Sequence, residues 1–376
     1  MEQNNHYAKP SSQEIEISIF GPGYGESLVL HLTDNNWIVV DSCIDLKSKQ
    51  SIPLNYLKQL GVSIENEVKV IIVSHWHDDH IRGVSELYKE AKNSKIVISS
   101  ALLKREFLTY IYAMAENSMM QNSGVEEMYN LVKDSIERTK RSGQNNIKYA
   151  FNDKLIWSSH DNQIQLSTLS PSDQEFQNSL IELSKLVDDL QGTKRRAIVQ
   201  SPNNVSIVLW VRIGNDSILL GSDMEKSNDE NCGWRAISNC QVINNYVASF
   251  YKVAHHGSET GYDPEIWNKL LIPNPTVALT PFMKGRHKIP TNIDIRRICA
   301  HSTNFFATKL ISGKRPIERP RIVEKQIKEI KGLNIKPVIY STGHLRFRKS
   351  FNNSKSNWKV DLFNEAEQID CSIFNS

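Results

Sequence analysis

Residues 68–80 read VKVIIVSHWHDDH, an apolar run followed at once by histidine and aspartate. The apolar run predicts a buried β-strand. The segment after it places four metal-binding side chains within six residues: His75, His77, Asp79 and His80. Imidazole nitrogen and carboxylate oxygen are the ligands that Zn²⁺ and similar divalent ions take. The competing interpretation is a histidine-rich surface turn or a polar cap, which needs no partners elsewhere in the chain.

A strand that ends in a tight loop can direct these side chains at two cations. His75 and His77 would reach one cation, and Asp79 and His80, where the chain enters the next helix, would reach the other. A bound divalent cation turns water into hydroxide near neutral pH, and a pair of cations clamps both ends of a displacement. The segment therefore predicts a metal-dependent hydrolytic site.

Three other strand ends supply residues of the same chemical types. Asp41, Asp223 and the pair His255-His256 each follow closely on a short apolar run. Catalytic residues gather at such ends because the strands are rigid and the loops between them are free to vary. Taken singly, each suits a turn cap or a structural histidine. Taken with the first cluster, they predict one composite site.

The composition is that of a globular protein with an ample core. Hydrophobic residues make up 39% and charged residues 23% of 376 residues. A formal charge of +3 is too small to imply nucleic acid by itself. The first 14 residues are polar without an apolar leader segment, and no run reaches the length of a membrane span. We therefore expect a cytoplasmic protein without membrane contact.

The cysteines agree with that location. They are few, odd in number and unclustered, which suits a reducing cytosol better than a disulfide framework. Cys232 and Cys240 lack the spacing of a metal-binding or redox pair, which indicates ordinary thiols. The sequence contains five cysteines, at positions 43, 232, 240, 299 and 371.

Predicted strands occur in two batches that are interleaved with helices, a pattern typical of a layered α/β domain. We expect an α/β fold with an αββα four-layer sandwich and a helical insertion at about 101–143. Residues 1–14 would form a polar N-terminal tail, residues 15–348 a single domain and residues 349–376 a C-terminal tail. The insertion and the C-terminal tail are the candidate regions for substrate access or a protein partner.

The ordered landmarks resemble the metallo-β-lactamase superfamily. They are Asp41, then His75-x-His77-x-Asp79-His80, then Asp223, then His255-His256. Within that superfamily the chain is most similar to the hydrolase domain of ComEC-type DNA-uptake competence proteins, over roughly residues 15–348. The stretches that carry this similarity are Gly21–Leu30, Asn203–Ser206, Leu219–Asp223, Lys252–Ser258, His287 with Pro290, and Phe305–Thr308.

The resemblance implies a role for each landmark. His75 and His77 would hold the first metal, Asp79 and His80 the second, and Asp223 would bridge the two. His256 would complete the second site, although the alternative His255 stays open. Asp79 and His255 are the candidate catalytic residues, and His255 would face the substrate to neutralise phosphate or protonate the leaving group. Asp41 would orient a ligand imidazole. Two divalent ions are implied, Zn²⁺ in preference to Mn²⁺.

One position departs from the superfamily pattern. A further metal-binding histidine usually lies between the first motif and Asp223, and Ser170 stands at the matching place. His160 is the alternative ligand, although it precedes the predicted strand instead of following it. Choline-phosphate esterases of the superfamily are similar in lacking this histidine. The resemblance therefore implies either two metals with an under-filled first site or tight binding of only one.

The function expected from these residues is phosphodiester hydrolysis, most specifically cleavage of DNA by a metal-bound hydroxide. Lys284, Arg286 and His287 could clamp a phosphate, with an exposed basic loop as the alternative. Two other functions stay open. One is hydrolysis of a small ester such as a cyclic nucleotide, a phosphocholine ester, a lactone or a thioester. The other is a regulatory or defence-complex subunit with a weak metal site.

Overall fold

A computed structural model of the chain describes residues 6–21, 25–102, 124–192, 202–283, 288–309, 326, 342–352 and 357–374, without the side chains of 183–192 and 202. The candidate phosphate-binding residues Lys284, Arg286 and His287 lie outside these ranges, as do residues 103–123 of the expected insertion. Residues 124–142 of that insertion form one helix.

The first of two eight-stranded sheets contains the strand before the histidine motif. Its order is β15-β14-β1-β2-β3-β4-β5-β6. The strands β3 to β6 run parallel to one another, and the remaining neighbours are antiparallel. The strands are β1 (Glu14–Gly21), β2 (Ser27–Leu32), β3 (Trp37–Val40), β4 (Val68–Val73), β5 (Lys95–Ser99), β6 (Ile147–Ala150), β14 (Gly343–Ser350) and β15 (Lys359–Phe363).

The second sheet has the order β16-β13-β12-β11-β10-β9-β8-β7. The strands β10, β11, β12 and β13 are parallel, whereas β7 to β10 pair as antiparallel neighbours. The strands are β7 (Lys154–Ser158), β8 (Ile164–Thr168), β9 (Leu209–Ile213), β10 (Asp216–Leu220), β11 (Ala248–Lys252), β12 (Leu271–Leu279), β13 (Phe305–Ala307) and β16 (Glu367–Gln368).

The helices cover the outer faces of both sheets. Leu54, Leu87 and Met128 pack with the outward residues of the first sheet, and Trp234 and Ile295 with those of the second. The helices are α1 (Ile52–Gln59), α2 (Ile64–Glu67), α3 (Asp78–Ile81), α4 (Val84–Glu90), α5 (Gly124–Ser142), α6 (Asp173–Gly192), α7 (Gly233–Ile237) and α8 (Asn292–Cys299).

Alternation of apolar residues explains why the sheets stack. Ile15, Ile17 and Ile19 are fully buried and face the second sheet, where Leu209 and Ile218 join the same core. Because side chains alternate across a strand, the residues between them face the helices. Two sheets packed face to face with helices outside confirm the expected αββα four-layer sandwich. No described helix is both long enough and apolar enough to cross a bilayer.

The end of the chain departs from the expectation of a tail. After Ser350, β15 extends the first sheet beside β14, and β16 extends the second sheet beside β13. A disulfide then joins Cys299 at the end of α8 to Cys371. The expectation of unpaired thiols is wrong for this pair because folding brings together cysteines 72 positions apart. It holds for Cys43, Cys232 and Cys240, which are free and buried.

The segment expected as an N-terminal tail also contacts the domain where it is described. The His6 ring stacks on Phe363 at 4.0 Å between centroids, and Lys9 forms an ion pair with Glu67. The backbone carbonyl of His6 accepts a hydrogen bond from Arg346 on β14. The first strand therefore begins after residues that are already packed against the sandwich.

Candidate metal centre

The parallel strand pairs explain why distant residues meet. Asp41 follows β3 and His75 follows β4, and these strands are parallel neighbours in the first sheet. Asp223 follows β10 and His255 follows β11, which are parallel neighbours in the second. The carboxyl ends of parallel neighbours lie at one edge of a sheet, so four separate segments arrive at the same rim of the sandwich.

The local backbone directs the histidine motif into this rim. His75 and His77 lie in the extended stretch after β4, and α3 then turns the chain so that the His80 amide donates to the His77 carbonyl at 3.0 Å. The His80 carbonyl accepts from the Ser42 amide at 2.7 Å, which fixes this turn to the end of β3. The predicted strand, loop and helix of the motif are all present.

The second half of the site depends on left-handed backbone. Ser222, just before Asp223, has φ +47°, and His255, His256 and Gly257 have φ +45°, +52° and +77° in succession. Each non-glycine residue in this region costs about 1–2 kcal/mol, and such strain concentrates at functional sites. The tight turn places the His256 side chain in the buried interior while His255 stays near the surface.

Two ligand groups form at the rim and share one carboxylate. Asp223 belongs to both, and its Oδ2 lies 3.4 Å from His80 Nε2 and 3.8 Å from His75 Nε2. The Asp79 Oδ2 lies 3.4 Å from His256 Nε2 across the second group. In each group the ligand atoms lie within 4.8 Å of one another; the first group is His75, His77 and Asp223, and the second is Asp79, His80, Asp223 and His256.

The unpaired atoms of the second group fit a cation. His80 Nε2, His256 Nε2 and Asp223 Oδ1 are buried and make no hydrogen bond within the described part of the chain. Buried polar atoms are almost always paired. The two nitrogens lie 3.4 and 3.7 Å from the Oδ2 atom of the same Asp223 carboxylate, so they need a partner that also suits a carboxylate. Nitrogen and carboxylate oxygen donors suit Zn²⁺ or Mn²⁺. The donor set therefore fits the implied divalent ions.

Hydrogen bonds behind the imidazoles fix which nitrogen faces the site. Asp41 Oδ2 accepts from His80 Nδ1 at 2.8 Å and from the Ser74 hydroxyl at 2.6 Å. Because Ser74 donates to Asp41, it accepts from His75 Nδ1 at 3.0 Å. His256 Nδ1 donates to the Thr280 carbonyl at 2.8 Å. All three imidazoles consequently present Nε2 to the ligand groups.

The electrostatics of the second group couple histidine to carboxylate. Burial alone would lower the pKa of His80, yet Asp223, Asp79 and Asp41 hold it well above its usual value. Burial alone would raise the pKa of Asp223, but His80 and His256 hold it well below. In the absence of a cation, protons on these imidazoles therefore compensate the buried carboxylates.

The first group has the opposite electrostatic character. Burial, with His80 nearby, holds the pKa of His75 well below its usual value, and burial also lowers that of His77. Both imidazoles are thus neutral near pH 7 with lone pairs available for a cation, and His75 Nε2 lies 3.1 Å from His77 Nδ1. This group is ready to bind metal without first losing protons.

We expect Asp41→Asn to lower Zn²⁺ affinity by about 10–100-fold, the usual effect of removing a partner that orients a ligand imidazole. The two oxygens of Asp41 accept from the Ser74 amide, the Ser74 hydroxyl and His80 Nδ1. An asparagine has one acceptor oxygen and one NH₂ group, so it leaves at least one of these donors unpaired and loosens the imidazoles that Asp41 and Ser74 orient. Chelator competition measures the change, and Asp45→Asn, whose carboxylate accepts from the amides of a turn just after Asp41 in the chain, is the control. Unchanged affinity in both variants would contradict the role of Asp41.

Ser170, which stands at the place of the usual further metal-binding histidine, has a structural role. Ser170 is buried after β8, where its hydroxyl donates to the Ser206 carbonyl at 2.6 Å and accepts from the Val208 amide at 2.8 Å. It therefore secures the segment that enters β9. His160 is exposed in the turn between β7 and β8, at the opposite end of β8, and belongs to neither ligand group. The first group keeps three ligand residues.

His255 lies at the polar rim outside both ligand groups. Its Nδ1 is 2.8 Å from the Thr260 hydroxyl and 3.3 Å from Glu225 Oε1, and its Nε2 is 3.3 Å from Asn203 Nδ2. The side chain is 20% exposed, in contrast with His256 at 3%. The structure thus separates the late pair into one buried histidine of the second group and one histidine that solvent can reach.

Residues to which the sequence analysis gave no role also contact the site. Ser74, Thr280 and Asn203 supply the hydrogen bonds described above, and a buried ion pair, Glu26 with Lys252, lies behind the second group. A lysine and a glutamate at the ends of apolar strands are a detectable signal, because each buried charge needs an opposite one. The hydroxyl and carbonyl partners carry no comparable signal.

Comparison with known sequences places this site in a family. The metallo-β-lactamase superfamily model matches residues 20–266, more than half of the 376 residues, and covers the histidine motif, Asp223 and the late histidine pair. The chain belongs to the metallo-β-lactamase superfamily. No curated protein matches the sequence.

Solved structures of superfamily members are similar at low identity. The metallo-β-lactamase fold protein YhfI from Bacillus subtilis is 11% identical over 64% of this chain and 70% of its own, with a TM-score of 0.32. The metallo-β-lactamase SMB-1 is 10% identical over 70% and 85%, with a TM-score of 0.34. The dizinc quorum-quenching lactonase AidC is 17% identical over 53% and 55%, with a TM-score of 0.30.

Proposed function

We propose that this metallo-hydrolase is a phosphodiesterase whose substrate is DNA. The observation that carries the proposal is the sharing of Asp223 between two ligand groups at the rim of the sandwich. Cations that share a carboxylate are neighbours, and the non-bridging oxygens of a phosphodiester can contact both. A substrate with two such oxygens therefore matches the arrangement better than one with a single carbonyl.

The proposed site residues have two roles, metal binding and contact with the substrate. His75 and His77 would hold one cation and Asp79, His80 and His256 the other, with Asp223 between them. When bound, such ions withdraw charge from phosphoryl oxygens and lower the pKa of water.

His255 is the residue best placed to act on the substrate. It is held by Thr260 and Glu225 through Nδ1, which leaves Nε2 at the exposed side beside Asn203. From there it would neutralise a phosphate or give a proton to the leaving oxygen. Asn203 would move aside or donate to the same phosphate.

The choice of DNA rests on the resemblance of the sequence to ComEC-type hydrolase domains, which includes residues 252–258. The basic stretch with Lys284, Arg286 and His287 adds support, because its flanking residues Phe282 and Ile289 pair with each other beside the second group. The Phe282 ring lies 5.4 Å from the His256 ring between centroids. On the sequence alone, we propose Lys284, Arg286 and His287 as side chains that contact the phosphate backbone.

The test is a metal-dependent activity screen on the purified full-length chain. Single-stranded DNA, double-stranded DNA, cyclic nucleotides and bis(p-nitrophenyl) phosphate are compared with a lactone and thioester panel, with Mn²⁺ or Zn²⁺. We expect cleavage of DNA that Asp79→Ala abolishes. Intact DNA together with prompt turnover of a lactone or thioester would reject the proposal in favour of a small-ester hydrolase.

Metal content separates the proposal from a binding subunit that uses the fold without turnover. Within the described residues the first group has three ligand residues, and Ser170, at the place of the usual further histidine, is engaged in backbone hydrogen bonds. A protein isolated with one to two equivalents of metal per chain agrees with the proposed enzyme. Well under one equivalent after Zn²⁺ is supplied would favour a regulatory or defence-complex role.

A further inference from the structure

Behind the second ligand group lies an ion pair that the proposed chemistry does not use. Glu26 and Lys252 are each 1% exposed, and the Lys252 Nζ lies 2.6 and 2.5 Å from the two oxygens of Glu26. Both oxygens of the carboxylate are thereby occupied by one ammonium group. A charge pair buried to this degree gains little net stability, because desolvation offsets the attraction. Its location therefore needs another explanation.

Each partner is tied to a different half of the site. The Glu26 amide, just before β2, donates to the Asp79 carbonyl at 2.9 Å. The Lys252 carbonyl, at the end of β11, accepts from the Gly221 amide at 3.0 Å, two residues before Asp223. The side-chain pair thus connects the backbone of the first-sheet ligands to the backbone of the second-sheet ligands.

The Glu26 carboxylate also lies directly behind two ligand imidazoles. Its oxygens are 4.0 Å from His80 Nδ1 and 3.8 Å from His256 Nδ1. Both nitrogens have shorter hydrogen bonds, at 2.8 Å, to Asp41 and to the Thr280 carbonyl. A carboxylate at this distance competes for the same protons unless its oxygens are occupied. Lys252 occupies them.

We propose that Glu26 and Lys252 are positioning residues that set the spacing of the second metal site across the two sheets. This inference rests on the metal-binding part of the proposed function and not on the identity of the substrate. Glu26 fixes Asp79 and His80, Lys252 fixes the segment of Asp223 and His256, and their contact holds the two pairs of ligands in register. The pair also keeps Glu26 away from the nitrogens that must face Asp41 and Thr280.

The experiment measures Zn²⁺ affinity on the stripped full-length protein by competition with a chromophoric chelator. Glu26→Asp keeps the charge and shortens the side chain by one methylene, so it tests spacing alone. Glu26→Gln and Lys252→Met remove one charge, and the double variant Glu26→Gln/Lys252→Met removes both. We expect each variant to bind the second equivalent of Zn²⁺ about 10–100-fold more weakly than the wild type.

The control is a second, half-buried ion pair that also joins the two sheets. Lys349 on β14 contacts Asp216 on β10 at 2.6 Å, at the end of β10 opposite to Asp223. Lys349→Met and Asp216→Asn should change the melting temperature without changing Zn²⁺ affinity. The absorption spectrum of the Co²⁺-substituted protein gives an independent readout, which should change in Glu26→Asp and not in the control variants.

The possible outcomes separate this inference from the proposed function. Wild-type affinity in Glu26→Asp, or restoration of affinity in the double variant, would overturn the positioning role while leaving the metal site intact. An equal loss of affinity in the Lys349 and Asp216 variants would also overturn it, since any cross-sheet pair would then act alike. A wild-type chain that binds no Zn²⁺ would overturn both the inference and the proposed function.

Discussion

Replacement of Asp223 by asparagine is expected to lower the rate of DNA cleavage by about 10³-fold. The substitution removes the negative charge that both ligand groups share, so both groups bind their metal ions more weakly. Two metal ions that stabilise the developing charge of the transition state by about 4 kcal/mol account for this factor. Each 1.4 kcal/mol of transition-state stabilisation changes the rate about tenfold. The variant should still fold, since Asp223 lies at a strand end and the apolar layer between the sheets is unchanged.

The control for this prediction lies on the same strand. Asp216 begins β10, whereas Asp223 follows its other end, and Asp216→Asn breaks an ion pair with Lys349 instead of a ligand group. Metal content measured on both purified variants, beside the cleavage rate at saturating Mn²⁺, distinguishes the two positions. Asp223→Asn with near wild-type metal content and activity would exclude the shared carboxylate as the centre of the site.

The second large effect is expected on removal of metal. Stripping the protein with a chelator leaves buried carboxylates facing protonated imidazoles, and readdition of Zn²⁺ should raise the melting temperature by roughly 5–10 °C. At a free metal concentration about a thousand times Kd, ligand binding adds about 4 kcal/mol to the free energy of unfolding. For a domain of several hundred residues this corresponds to roughly 2 °C per kcal/mol. A melting temperature that does not respond to Zn²⁺ would contradict the site.

The increase in melting temperature that Zn²⁺ causes should become larger as the pH rises from about 7 to 8.5. Carboxylates raise the pKa of His80 and His256 in the folded stripped protein. Their contribution to stability is therefore complete below the unfolded pKa of about 6.5 and is lost as the pH rises through the folded values. The pKa values of His75 and His77 are lowered in the folded protein, so these residues change the stability of the stripped protein only below about pH 7.

The affinity for Zn²⁺ should also increase with pH, because protons compete less for His80 and His256 at higher pH. Thermal melts of stripped and Zn²⁺-loaded protein across this range measure the difference. In the stripped state, His80→Gln should flatten the decrease of stability with pH. A gain from Zn²⁺ that shrinks as the pH rises would contradict the proton–metal competition.

The ligand residues were accessible to sequence analysis because they are local or lie at strand ends. His75 to His80 occupy one loop, so their spacing alone indicates a metal site. Asp223 and the pair His255-His256 could be joined to them because apolar runs mark the ends of their strands, whereas the preference for His256 within the pair came from the resemblance to the family. The layered fold followed from the same runs, since buried strands and amphipathic helices must cover each other's apolar faces.

The surrounding network was not accessible in the same way. Ser74 connects His75 to Asp41, but a serine after a strand is common and carries no period or charge pattern. Glu26 and Lys252 each signal in the sequence a buried charge that needs an opposite partner, but the identity of that partner, 226 positions away, follows only from the stacking of the two sheets. The Cys299–Cys371 bond has the same origin. Contacts between residues on different strands and helices can be identified only from the tertiary structure.

The strands that follow Ser350 have a consequence for the solubility of the chain. β15 pairs with β14, and β16 pairs with β13, so one short segment supplies an outermost strand of each sheet. An edge strand presents free amide and carbonyl groups that pair readily with other chains, and short edge strands present fewer of them. The five residues of β15 thus replace the eight of β14 as the edge, and the two of β16 replace the three of β13, which leaves less free backbone for pairing. The bond of Cys371 to α8 holds the end of this segment against the domain.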